Sequence, residues 1–147
     1  MLCRIFGKQF DAALVPLSMS EKQVTLIGVY KANGGVVGEL SYFFGHLVGV
    51  RSCSLCDVTH SPVMKKAKFK DLEKRLKAEL GITFKLVHMN ERNAEELKAS
   101  SGREPCVLLR YDDGGISMLL DYVELKAIDG SVESFEKLLR SRLDFYL

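Results

Sequence analysis

Residues 51–60 read Arg51-Ser52-Cys53-Ser54-Leu55-Cys56-Asp57-Val58-Thr59-His60. Two cysteines separated by two residues, just ahead of an apolar helical stripe, are the feature on which both fold and chemistry turn. The chain has 147 residues and four cysteines: Cys3, Cys53, Cys56 and Cys106. In an intracellular setting the Cys53/Cys56 spacing reads as redox or metal chemistry rather than as a disulfide framework. Covalent haem attachment is excluded by Asp57, which stands where such a motif has histidine.

Upstream of the pair, Val24 to Tyr30 is a nearly continuous apolar run rich in β-branched residues, the pattern of a strand buried on both faces. Asn33-Gly34-Gly35 turns the chain, and no Gly-Lys-Ser/Thr follows to make it a phosphate loop. Val37, Leu40, Phe44 and Leu47 then recur at helical spacing in a short helix that is apolar nearly all round. It is either a cover over the cysteines or plain core packing.

Downstream, Pro62 either opens a helix or kinks one already begun. Phe69, Leu72, Leu76 and Leu80 form its apolar stripe, the lysine-rich remainder reads as a solvated face, and Gly81 stops it. Ile82 to Met89 is a second strand. Asn93, with Glu96 three residues on, caps a short helix ending near Gly102. Cys106 to Tyr111 and Ile116 to Asp121 are two strands joined by a hairpin loop, Asp112-Asp113-Gly114-Gly115. Ser131 caps a last helix whose Val132, Phe135, Leu139 and Leu143 face the core. Strands alternating with helices imply parallel pairing, and the terminal hairpin adds an antiparallel edge. The expected class is therefore α/β, with a central mixed sheet of about four strands flanked by helices.

Apolar residues make up 47% and charged residues 27%, with a net charge of +2. That balance suits one globular domain and gives no electrostatic footprint for nucleic acid. No apolar run reaches the roughly 18 residues a membrane span needs. Gly7, Lys8, Gln9 and Asp11 break the N-terminal apolar stretch, which makes a poor signal peptide, so a cytoplasmic location is expected. Residues 1–18 read as a leader, with Met19 as an alternative start. Residues 19–147 read as one domain. The oligomeric state is left open.

In this order and spacing the chain resembles the thioredoxin-like superfamily, over about Val24 to Lys31 and Ser52 to Leu147. Three features carry the resemblance: Cys53-Ser54-Leu55-Cys56 before a long helix with Pro62 near its first turns; Glu104-Pro105-Cys106, where the family places a cis-proline ahead of a strand; and the closing hairpin and helix. The chain differs from the family in an insert at 32–51, in having no Trp, in Cys106 after the proline, and in Pro62 lying one residue further on. The resemblance implies a thiol-disulfide oxidoreductase that acts on a protein or small-molecule disulfide without a cofactor. Cys53 would be the exposed nucleophile and Cys56 the buried resolving thiol. The Glu104–Pro105 bond would be cis, with Pro105 and Cys106 at the substrate groove.

Two other readings stand beside it. Thiolate and imidazole are good zinc ligands, and His46, Cys53, Cys56 and His60 would make a closed four-ligand site for zinc or another thiophilic metal, with Cys106 able to replace a histidine. The third reading is a redox-inactive interaction module of the same fold. Taken singly, His60 reads as a polar residue near a helix start and His46 as a residue half-buried under a loop. His88 reads as a strand-end residue meeting solvent or a carbonyl, Cys106 as core packing and Cys3 as inert.

Overall fold

The computed structural model describes residues 23–32, 53–60 and 65–147. The leader at 1–18, Met19, the insert apart from Ala32, the helix expected over Val37 to Val48, His46, Pro62 and Cys3 all lie outside the described residues.

The architecture is α/β. Four strands, β1 (Thr25–Val29), β2 (Thr83–Val87), β3 (Cys106–Arg110) and β4 (Ile116–Leu120), form one sheet in the order β2-β1-β3-β4. The described helices are α1 (Ser54–Thr59), α2 (Ala67–Leu80), α3 (Ala94–Ser100), α4 (Tyr122–Ile128) and α5 (Val132–Tyr146). Strand β1 is central, paired on both edges and covered on both faces, which is why its sequence is a continuous apolar run. This mixed sheet with flanking helices agrees with the class expected from the sequence, and the Glu104–Pro105 bond is cis. No described helix is long and apolar enough to cross a membrane.

Alternating side chains split the core in two. Leu26, Val107 and Leu109 point to the larger cluster, where they meet Leu55 and Val58 of α1, Phe69, Leu72 and Leu76 of α2, Leu125 of α4 and Phe135 and Leu139 of α5. Ile27, Val29, Val87, Cys106 and Leu108 point to the opposite face, with Ala99 of α3 packed against them. Phe69, Phe84 and Phe135 meet at centroid separations of 5.4–6.1 Å and join α2, β2 and α5. Across the helix surfaces, Lys68–Glu133 and Arg75–Glu136 ion pairs link α2 to α5.

The structure differs from the sequence expectation in four places. First, only β1 and β2 are parallel, whereas β3 runs antiparallel to β1. The seven-residue α3 covers about 10 Å, less than the roughly 17 Å of a five-residue strand. The chain therefore does not return along the sheet, and Cys106 pairs with Val29 at the strand end where β2 has just finished. Second, the long helix expected after the cysteines is two helices. Helix α1 ends at Thr59, His60 is extended (φ −129°, ψ 145°), and a His60–Lys65 bridge precedes α2. Third, Leu80 is 47% exposed. The chain leaves α2 at Gly81 (φ 67°), and Ile82 just beyond takes the buried place. Fourth, α4 was not foreseen, although Asp121 accepts from the Val123 and Glu124 N–H groups and the Glu124 carboxylate accepts from the Asp121 N–H, a complete capping box.

Candidate active site

Helix α1 lies against the larger core through Leu55 and Val58, both fully buried. Leu55 sits above Gly28 of β1. A Cβ at Gly28 would come within 2.8 Å of Leu86 Cδ2, 3.0 Å of Phe84 Cε1 and 3.2 Å of Leu55 Cδ2, so glycine is what lets the helix seat this close to the sheet. That seating fixes the residues on either side of Leu55.

Cys53 is the N-cap of α1, with extended backbone (φ −133°, ψ 104°), and its Sγ accepts the Cys56 N–H at 3.4 Å. Cys53 and Cys56 are joined by a disulfide, with Cα atoms 5.2 Å apart. A cap and the third residue of a helical turn face the same way, so the two thiols meet without displacing the helix. An N–H aimed at a cysteine sulfur favours its thiolate once the disulfide is opened.

The resemblance implied an exposed Cys53 above a buried Cys56. Instead both are buried, Cys53 at 1% exposure and Cys56 at 7%, because both side chains belong to the larger core cluster.

Beside the pair lies a groove of about 380 Å³. Ser54 and Asp57 of α1 form one wall and Glu104 and Pro105 another. Lys31 after β1, Tyr122 and Lys126 of α4, and the Asp129-Gly130 turn complete it. Lys66 Nζ holds that turn against α1 by donating to the Asp57 carbonyl at 2.5 Å and to the Gly130 carbonyl at 3.1 Å. The groove therefore mixes lysines and carboxylates around one exposed aromatic ring, Tyr122.

Pro105 is at the groove, but Cys106 is not. As the first residue of β3, Cys106 points to the opposite face of the sheet, among Ile27, Val29, Val87 and Leu108. Period-two alternation separates it from its neighbour Val107, which faces the cysteine side. Burial, with the Glu104 carboxylate adding to it, pushes the Cys106 thiol up to about 12. This corrects the expectation that Cys106 shares the groove or replaces a metal ligand.

His60 caps the C-terminal end of α1, and its N–H donates to the Cys56 carbonyl at 2.8 Å. Its Nδ1 lies 2.7 Å from Thr59 Oγ1 and 3.3 Å from Tyr30 Oη, and those two oxygens are 3.0 Å apart. Burial, then the nearby charges of Lys65 and His88, hold His60 below its ordinary value of 6.5, so its imidazole is neutral near pH 7. His88 packs its ring on Tyr30 at 5.1 Å and places Nδ1 2.9 Å from Glu91 Oε2, a partner the sequence did not suggest. Among the described residues no group of three or more His, Cys, Asp or Glu side chains is arranged to hold a metal ion. The zinc arrangement thus loses Cys106, and its His46 lies outside the described residues.

Sequence reasoning did not find Tyr30 and Thr59, nor the Lys31, Tyr122 and Asp129 sides of the groove. For α4 the signal was present in Asp121 and Glu124. For Tyr30 there was none, since a tyrosine ending an apolar strand reads as core. A comparison with protein-family models, with curated proteins and with solved structures finds no match.

Proposed function

We propose that the protein is a thioredoxin-like thiol-disulfide oxidoreductase that works through the Cys53/Cys56 dithiol. The observation that carries this reading is the Cys53–Cys56 disulfide capping α1, with Cys53 Sγ accepting the Cys56 N–H. The neighbouring groove, with Ser54 and Pro105 on its walls, supplies a place for a substrate beside the pair.

In the reduced protein, the Cys53 thiolate attacks one sulfur of a substrate disulfide. The Cys53–substrate bond forms, the substrate S–S bond breaks, and the departing sulfur leaves as a thiolate that takes up a proton. The Cys56 thiolate then attacks Cys53 Sγ, which re-forms the Cys53–Cys56 disulfide and releases the second substrate thiolate. Two electrons pass from dithiol to substrate, and two equivalents of an external thiol, which leave joined as their own disulfide, restore the dithiol. Cys106 takes no part, because its buried thiol stays protonated.

The test is trapping. Cys56→Ser should accumulate a mixed disulfide on Cys53 when mixed with a disulfide-containing protein, while Cys53→Ser should not. Absence of an adduct on Cys56→Ser would remove the reading. A second reading, an interaction module that uses the groove without turnover, is favoured by the 1% exposure of Cys53. It expects no adduct and an unreactive disulfide.

A further inference from the structure

Beneath the groove wall at Glu104 lies a buried ion pair that the exchange chemistry does not itself use. Arg92 is 5% exposed and Glu104 8%. The Arg92 guanidinium donates from Nε to the Met89 carbonyl at 2.9 Å, and from Nη1 to Ser100 Oγ at 2.8 Å and to Glu104 Oε1. Ser100 is itself fully buried and donates from Oγ to the Glu96 carbonyl at 2.6 Å. One planar fork thus ties three separate segments together: the turn after β2, the end of α3, and the residue next to Pro105.

Resting on the thiol-exchange reading above, we infer that Arg92 is a positioning residue for the substrate groove, fixing the Glu104-Pro105 wall through Glu104. Glu104 and Pro105 line the groove together with Ser54, the residue next to Cys53, so the place of that wall sets how a bulky substrate seats there. Arg92 does not line the groove, and the Cys53–Cys56 pair lies in a different element, capping α1. Lysine cannot replace it, because a single ammonium lacks the fork that serves Met89, Ser100 and Glu104 together. The Glu104 carboxylate accepts from Arg92, while the residue itself forms part of the groove wall.

Three full-length proteins test this: wild type, Arg92→Met and Arg92→Lys. The lysine variant keeps a positive charge beside Glu104, and so stays informative if Arg92→Met fails to fold. Each is assayed for reduction of insulin disulfides, for reduction of the small aromatic disulfide dithiobis(nitrobenzoate), and for the Cys53/Cys56 equilibrium with glutathione. The expected result is a loss of about tenfold or more on insulin, appearing in KM, when Arg92 is replaced by either residue; misplacement by about 1 Å has effects of that size and larger. The small disulfide and the glutathione equilibrium should stay within about twofold of wild type in both variants. A folded Arg92→Lys or Arg92→Met protein that reduces insulin like wild type overturns the inference and leaves the exchange reading intact. A wild type inert toward both substrates removes the exchange reading, and the inference with it.

Discussion

Replacing Gly28 by alanine tests whether the close approach of α1 to the sheet is what holds the cysteine pair in place. The new Cβ would lie 2.8 Å from Leu86 Cδ2, 3.0 Å from Phe84 Cε1 and 3.2 Å from Leu55 Cδ2. The comfortable carbon–carbon limit is about 3.5 Å, so the shortfalls are about 0.7, 0.5 and 0.3 Å. Leu86 is only partly buried and yields most easily, but Phe84 and Leu55 are locked in the core. Overpacking of this kind costs about 1–3 kcal/mol. Loss of glycine's freedom in the unfolded chain returns about 0.4–1 kcal/mol. The net destabilisation should be about 1–2 kcal/mol, or roughly 3–6 °C in melting temperature for a chain of this size. Urea and thermal unfolding of the oxidised protein measure it. In a Leu55→Ala background the cost should shrink by about 0.5 kcal/mol or more, because one of the three clashes is gone. Gly28→Ala at or above wild-type stability, or a cost that ignores Leu55→Ala, would refute the packing argument.

Three further outcomes follow from the same geometry. Because His60 is held below 6.5 in the fold, the unfolded chain binds the extra proton first. Stability should therefore fall as pH drops from 6.5 toward the folded value, and His60→Asn should flatten that slope in urea titrations at pH 5–7. Cys106, pushed up to about 12 by burial, should resist iodoacetamide at pH 8 in the folded, reduced protein and react only after denaturation; rapid labelling would contradict its placement among Ile27, Val87 and Leu108. Asp121→Ala removes the acceptor for the Val123 and Glu124 N–H groups and should cost about 1 kcal/mol in chemical denaturation.

Much of this fold was legible wherever one element carried its own pattern. The run from Val24 to Tyr30 marked the central strand, Asn93 with Glu96 marked a helix start, and Val132, Phe135, Leu139 and Leu143 marked a buried face. Relations between elements were less visible. The direction of β3 depends on how far α3 carries the chain, which apolar spacing does not encode. The side on which Cys106 faces depends on strand register, and a shift of one residue would reverse it. The groove is assembled from Lys31, Ser54, Glu104, Tyr122 and Asp129, residues at element ends that no sequence spacing connects. The Cys53/Cys56 pair was the exception, because its two residues act at a local distance that the sequence states directly.

The most direct test is a redox titration of the full-length protein carrying Cys3→Ser, equilibrated across glutathione ratios and read by mass spectrometry after thiol blocking under denaturing conditions. The account predicts one reversible two-electron transition in which Cys53 and Cys56 pass together between dithiol and disulfide, while Cys106 remains a thiol throughout. A Cys53–Cys56 pair that stays fixed in one state across the whole range, or one that exchanges only after the protein unfolds, would contradict it.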